Sequence, residues 1–338
     1  MFAADRITLL EWALLASLAA VVAALPSVLD LFDTVQLSVV LIFGLLALSL
    51  DLVWGLGGLM SFGQSALFGV GAYAYGVLAI NSAFPIGALL AGISAAVLLA
   101  AVVGYVTFYG RVGSVYFAVI TLTVTLILYQ VTGHTAGPEY AIGKALIGGY
   151  NGMTNIPSLG FGLPGRAGNP LDPEPFFRVC GWALVGALTL CRVMAVSHFG
   201  RTLVAMRENE RRVELTGYDT RWRKLAAFAL SGALAGLAGG LFASWGNFVS
   251  PDVFSLPQSA RVVIWVLVGG RGTLYGAPVG AIFLEYLTTN LGQAGARYTT
   301  FAMGLVLVAM VLLFPRGLVP TLIEWASRVA TGRHRARS

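Results

Sequence analysis

The polar residues of this 338-residue chain do not assemble a catalytic set. It holds three histidines, no HExxH helix signature and no GxSxG nucleophile turn, so neither an activated water nor an activated serine has its partners. A membrane enzyme such as an intramembrane hydrolase or lipid transferase needs a clustered nucleophile and base, and the sequence contains no such cluster. The stretch GPEYAIGKA, Gly137 to Ala145, superficially resembles a phosphate loop. Its glycines stand one residue too far apart, and Ala145 replaces the hydroxyl that such a loop needs. The chain is therefore expected to bind no nucleotide, cofactor or metal itself. Cys180 and Cys191 share one apolar run and would be separated by about 16 Å of helical rise, too far for a disulfide, so they read as packing residues.

The remaining chemistry is that of polar groups at membrane depth. Asp51, Arg271 and Glu285 are the ionisable residues nearest the middle of apolar runs, where an unpaired charge costs about 3 kcal/mol. Each fits either a polar path or an interfacial position. His134 falls at a span end and reads as a solvated or capping residue. Two Gly-rich interruptions, GLGGLMSFGQ at 55–64 and GGRGTLYG at 269–276, each place a hydroxyl three residues after a Gly-Gly pair, Ser61 in one and Thr273 in the other. An interrupted helix in lipid exposes backbone groups that protein, water or a ligand must satisfy. The breaks thus mark either a translocation path, with Ser61, Gln64, Gly269, Gly270, Arg271 and Thr273 along it, or close helix packing. Gly232, Gly236 and Gly240, at intervals of four, form a smooth face for a neighbouring helix.

The elements that carry these residues follow from composition. With 57% hydrophobic and 11% charged residues, a polar shell around a single core is out of reach, and insertion in a bilayer removes the need for one. Apolar runs approach the roughly 20 residues that cross hydrocarbon as a helix. Spans are expected near 12–29, 35–53, 62–80, 86–109, 115–132, 179–196, 225–245, 260–267, 273–290 and 301–314, the eighth short enough to be re-entrant. The fold class is all-α, a single polytopic transmembrane bundle over 1–338 with about ten spans. The first apolar run reads as an uncleaved span, since Ala24-Leu25-Pro26 is a poor cleavage site.

Charge is concentrated in one place. Residues 198–224 carry seven cations against four carboxylates, a net of +3, whereas 52–110 and 225–251 hold no Asp, Glu, Lys, Arg or His. The positive-inside rule puts 198–224 and the basic tail 316–338 in the cytosol and the balanced, Pro-rich loop 133–178 outside, with both termini cytoplasmic. The net charge of +6 then reflects orientation, not nucleic-acid binding. Within the charged segment, 202–215 reads as one or two short amphipathic helices, followed by a turn at Gly217-Tyr218-Asp219 and a return to the membrane at Arg221. A mixed-sign helix on the membrane surface suits docking in another protein's groove, and equally a solvated anchor loop.

Residues 200–243, GRTLVAMRENERRVELTGYDTRWRKLAAFALSGALAGLAGGLFA, resemble the cytoplasmic coupling segment of LivM-type permeases, subunits of ATP-binding-cassette importers for branched-chain amino acids. GLGGLMSFGQSALFGVGAYAYG at 55–76, GGYNGMTNIP at 148–157 and VIWVLVGGRGTLYGAPVGA at 263–281 extend the likeness over most of the chain, in order. The resemblance implies a bacterial inner-membrane importer with a LivH-like second permease, two cytosolic ATPases that bind ATP and Mg, and a periplasmic solute-binding protein. It implies that Ala205, Arg207, Glu208, Glu210, Arg211, Glu214 and Gly217 fit into the ATPase groove. Two features depart from the leucine and isoleucine permeases. Gln64 stands where many relatives carry His, and WVLVGGRGTLYG is closer to the UrtC-type urea branch. The expected cargo is therefore a branched-chain amino acid or a small amide such as urea. The competing reading is a stand-alone carrier that uses Asp51 or Glu285 for ion coupling.

Overall fold

The computed structural model describes residues 9–27, 29–160 and 169–293, together with 304–305, 308, 312, 314 and 317–321. The helices among them are α1 (Leu9–Ala24), α2 (Leu31–Asp51), α3 (Gln64–Ser82), α4 (Pro85–Tyr109), α5 (Ser114–Gly133), α6 (Pro173–Val196), α7 (His198–Leu215), α8 (Thr220–Gly246), α9 (Leu256–Gly269) and α10 (Gly276–Gln293). Among the described residues, strand structure amounts to one short hairpin, Ala141–Ile142 against Ala145–Leu146, and isolated bridges. Six helices are long and apolar enough to cross a membrane, counting α2 with the π-helical turn Leu52–Leu56 that continues it. The molecule is an all-α, multi-pass membrane bundle. Nine of the ten expected spans fall on these helices; the tenth, 301–314, is described only at scattered positions, and most of the tail 316–338 lies outside the described residues.

Hydrogen bonds between helices fix relative depth. Trp245 Nε1 donates to the Val35 carbonyl at 2.9 Å, so the end of α8 and the start of α2 share one face of the bundle. Deeper in, the Ser231 hydroxyl of α8 donates to the Ser49 carbonyl at 2.7 Å and accepts from Gln64 Nε2 at 3.0 Å. Gln64 is the first residue of α3, so α3 starts inside the bundle and runs outward to Asn81, which accepts from Lys144 N at 2.7 Å in the 133–178 loop. Ser65 is hydrogen-bonded to Ser259, the fourth residue of α9. Hence α9 also starts inside, and it runs the opposite way, toward the end that carries α7. The eighth expected span is therefore not a loop that dips and returns. It is the second half of a broken crossing whose first half is the extended chain and 3₁₀ turn Pro251–Phe254.

Small residues hold the centre together. A Cβ on Gly71 of α3 would lie 2.6 Å from the Gly236 backbone, one on Gly92 of α4 2.6 Å from the Gly71 carbonyl, and one on Gly239 1.9 Å from the Phe68 carbonyl. The expected glycine face of α8 thus packs mainly on α4, with Gly232 and Gly236 on Ala100 and Ala96 and Gly240 against Leu89, while Gly239, outside that face, meets α3. Close backbone approach lets many weak dispersion contacts add up where lipid offers no hydrophobic gain. On the periphery, α4 and α5 present Leu98, Val102, Val106, Val115 and Ile127, all more than half exposed, to the hydrocarbon. The described part of the loop after α5 is stitched to α3 and to the end of α8. Met153 pairs with Val249 as a β-bridge, Tyr75 Oη donates to the Pro157 carbonyl at 2.9 Å, and Leu159 N donates to Ser244 Oγ at 2.7 Å.

Candidate functional site

The two glycine-rich breaks, more than two hundred residues apart in sequence, meet. A Cβ on Gly55 would sit 2.7 Å from Gly272 Cα, so the π-helical turn after α2 and the α9–α10 turn touch backbone to backbone. Asp51, wholly buried, clasps them: its Oδ1 accepts from Gly272 N at 2.6 Å and its Oδ2 from Leu274 N at 2.9 Å. Both carboxylate oxygens are thus occupied by backbone donors, with Arg271 and Arg207 nearby. Gly270 (φ +112°) and Gly272 (φ +79°) take backbone conformations that a side chain would strain, which is why this turn is glycine-rich. Thr273 brackets it, donating to the Gly270 carbonyl at 2.7 Å and accepting from Gly276 N at 2.9 Å. Gly269 lets the turn close, since a Cβ there would strike the Gly276 carbonyl at 1.9 Å.

Charged residues lie on the outer side of this clasp. Arg271 stacks 4.7 Å above the Trp54 ring and donates to the Trp54 carbonyl at 3.3 Å. Partial desolvation, then the Arg207 charge, lower the Arg271 pKa from its ordinary value, and the Asp51 carboxylate opposes both. Arg207 comes from α7, and its Nη1 donates to the Gly55 carbonyl at 2.6 Å while its Nη2 pairs with Glu208 at 2.9 Å. The π-helical turn leaves carbonyls without their usual helical donors, and Arg207 supplies one. Gly58 (φ +72°) makes room for it, because a Cβ there would lie 2.6 Å from Arg207 Cγ.

The other residues of the charged segment divide into two groups. Ala205, Glu208, Arg211, Glu214 and Gly217 are exposed. Glu210 pairs with Lys224 of α8, and Glu214 accepts from the Thr220 hydroxyl at 2.9 Å, so both brace the α7–α8 hairpin. Leu203, Met206 and Val213 seat α7 on Ala227 of α8. The turn is built from Gly217 (φ +88°) and from Asp219, whose carboxylate caps α8 by accepting from Arg221 N at 3.0 Å. At Asn209, however, the backbone leaves the helical region (φ −159°, ψ 95°), and the Asn209 side chain accepts from Arg212 N at 3.0 Å. Of the two readings, one helix or two, the segment takes the second, with an internal cap between the halves.

Ser61 and Gln64 are buried and bonded within the protein. Ser61 Oγ accepts from Gly63 N at 3.1 Å, and the Gln64 amide joins Ser49 and Ser231 across α2, α3 and α8. The broken stretch before α3 is satisfied by α5, a contribution that sequence reasoning missed. Thr121 Oγ1 accepts from Phe62 N at 3.2 Å, and Thr125 Oγ1 donates to the Phe62 carbonyl at 3.4 Å. The two threonines sit four apart on a helix otherwise facing lipid, and that spacing is the signal for them. Glu285 lies on α10 facing Arg261 and Trp265 of α9, and His134 caps α5 beside the Tyr150 ring. Among the described residues, no group of three or more His, Cys, Asp or Glu is placed to hold a metal ion.

A charged hairpin that grips the meeting point of two broken helices joins a surface element to the membrane interior, and known proteins share this sequence. A family model described as "Branched-chain amino acid transport system / permease component" matches residues 35–313. The high-affinity branched-chain amino acid transport system permease protein LivM of Escherichia coli (strain K12) is 30% identical over 305 residues, covering 83% of this chain and 68% of the relative. LivM of Salmonella typhimurium is 29% identical over the same length. The autoinducer 2 import system permease protein LsrC of Salmonella paratyphi B is 32% identical over 140 residues, 39% of this chain and 40% of that protein. No solved structure matches the chain. With the model covering most of its length and the LivM likeness most of its spans, this chain belongs to the family of branched-chain amino acid transport permease components and is of the LivM type.

Proposed function

We propose that the chain is one of two permeases in an ATP-binding-cassette importer of the bacterial inner membrane, with both termini in the cytoplasm. A LivH-like chain is the other permease, two cytosolic ATPases bind and hydrolyse ATP, and a periplasmic binding protein delivers solute onto the 133–178 cap. The cargo is a branched-chain amino acid; the likeness of WVLVGGRGTLYG, 265–276, to urea permeases makes small amides the second class to test. The subunit itself is not an enzyme.

The observation that carries this reading is the contact of Arg207 with the Gly55 carbonyl at 2.6 Å, one residue-length from the Asp51 clasp on Gly272. Ala205, Glu208, Arg211, Glu214 and Gly217 form the face that meets the ATPase, braced from behind by Glu210. Arg207 is the inward end of the same hairpin, and it transmits ATPase closure to both helix breaks. A ligand or partner shifts a conformational equilibrium only through contacts that differ between the states, and this bond is such a contact. Ser61, Gln64, Gly269, Gly270, Arg271 and Thr273 then act as the hinge of the translocation path. Their polar atoms are engaged within the protein, so they shape the passage by moving and do not hold the solute.

The test is uptake by the complete complex in vesicles, with ATP inside or outside and labelled leucine or urea supplied with the cognate binding protein. Uptake of leucine that needs ATP on the α7 side is expected. Uptake driven by an ion gradient through this chain alone would replace the proposal with the stand-alone carrier, and urea in place of leucine would overturn the cargo but keep the mechanism.

A further inference from the structure

Between the α4–α5 turn and the α7–α8 hairpin lies a half-open cavity of about 500 Å³. Arg111, Arg211, Arg221 and Lys224 line it against Glu210 and Glu214, a net of +2. Lys224 is neutralised by Glu210, and Glu214 is engaged by the Thr220 hydroxyl. The three guanidiniums form no ion pair or side-chain hydrogen bond among the described residues. Three unpaired guanidiniums thus share one recess with the Glu214 carboxylate, which accounts for the net of +2. Arg111 is moreover held at φ +54°, a left-handed conformation that glycine or asparagine adopts more readily, so a cation is retained at a position whose backbone disfavours it.

The recess opens at the edge of the apolar surface. Its floor is Phe108, packed with Phe117 at 5.0 Å between ring centroids at the end of the spans. Beside it, Tyr105, Val106, Val115 and Tyr116 are 58%, 65%, 74% and 70% exposed, and Tyr105 stacks on Tyr109. Tyrosines and a cationic recess at the end of membrane helices, continuous with bare aliphatic surface, suit a molecule that is anionic at one end and apolar along the rest.

We infer that this recess binds the phosphate headgroup of an anionic phospholipid, whose acyl chains lie along the exposed faces of α4 and α5. Guanidinium groups bind phosphate oxygens through charge-assisted, often bidentate, hydrogen bonds. Free inorganic phosphate would satisfy the cations but leave the apolar rim uncovered, and an acidic patch of a soluble partner would sit beyond that rim. The recess borders the proposed ATPase-facing surface through Arg211 and Glu214, so the headgroup is assigned to Arg111 and Arg221, which lie outside that surface; the assignment holds whichever solute is carried.

The experiment is native mass spectrometry of the full-length chain released from vesicles of phosphatidylglycerol or of phosphatidylcholine, with and without inorganic phosphate. One retained phosphatidylglycerol is expected, with retention about tenfold lower in the Arg111→Gln/Arg221→Gln double variant and largely preserved in Arg111→Lys/Arg221→Lys. Equal retention of phosphatidylcholine, equal retention by the Gln variant, or displacement by millimolar phosphate would each overturn the proposal. So would loss of the lipid when the ATPases bind, which would assign the recess to them. A photoactivatable phosphatidylglycerol should crosslink the unmodified chain within 105–116; labelling spread evenly over the other lipid-facing helices would also sink the idea, whatever the variants do.

Discussion

At the scale of single residues, Asp51 and Arg207 carry the site. Asp51→Ala leaves two buried backbone donors, Gly272 N and Leu274 N, without an acceptor, at about 1–3 kcal/mol each. A clear drop in the thermal unfolding midpoint of the detergent-solubilised chain is expected, with Asp51→Asn intermediate because its single acceptor oxygen serves only one donor at full strength; an unchanged midpoint for the Ala variant would show that the clasp is idle. Arg207→Ala should leave the ATPases bound, because the exposed face of α7 is untouched. Solute-stimulated ATP hydrolysis should nevertheless fall about tenfold, the loss of the charge-assisted hydrogen bond proposed to carry the transmission. Co-purification of the ATPases together with full stimulation would remove Arg207 from the transmission route.

At the scale of elements, α7 is two short helices joined at Asn209. Removing this internal cap with Asn209→Ala should weaken the second half by about 1 kcal/mol. Hydrogen exchange should then quicken across 210–215 and not across 198–208; uniform exchange along α7 would mean that the joint plays no part. The contrast shows what was legible in the sequence and why the rest was not. Helix positions were readable because apolar runs and charge-free stretches report a one-dimensional property, the length needed to cross lipid. The α7 turn was readable for a similar reason, since Gly217 and Asp219 act on their immediate neighbours. The position of the kink was not readable because the alternating charges around Asn209 suit a continuous helix as well as two short ones, and only its capping bond marks the break. The partnership of 55–64 with 269–276 was missed for another reason: composition flags each break, but the Asp51 bonds that join them connect residues 221 and 223 positions apart. Gln64 looked like a passage residue by type and depth, and only the positions of Ser49 and Ser231 show its amide to be spoken for.

At the scale of the whole molecule, the charged hairpin and the 133–178 cap occupy opposite ends of the bundle. Single cysteines at Lys144 and Glu208, both exposed, should react with a membrane-impermeant maleimide from opposite sides of a sealed cell membrane. Labelling of both from one side would invalidate the orientation on which the coupling proposal depends. The broken crossings also bear on insulation. Because α3 and α9 start side by side at Ser65 and Ser259 and run apart, the positive ends of two backbone dipoles, each equivalent to roughly half an elementary charge, lie at one depth inside the bundle. A sodium ion or hydronium that strayed in when the passage opened would meet a repulsive barrier there. The subunit thereby gains a means of admitting cargo without short-circuiting the potential across the membrane it sits in.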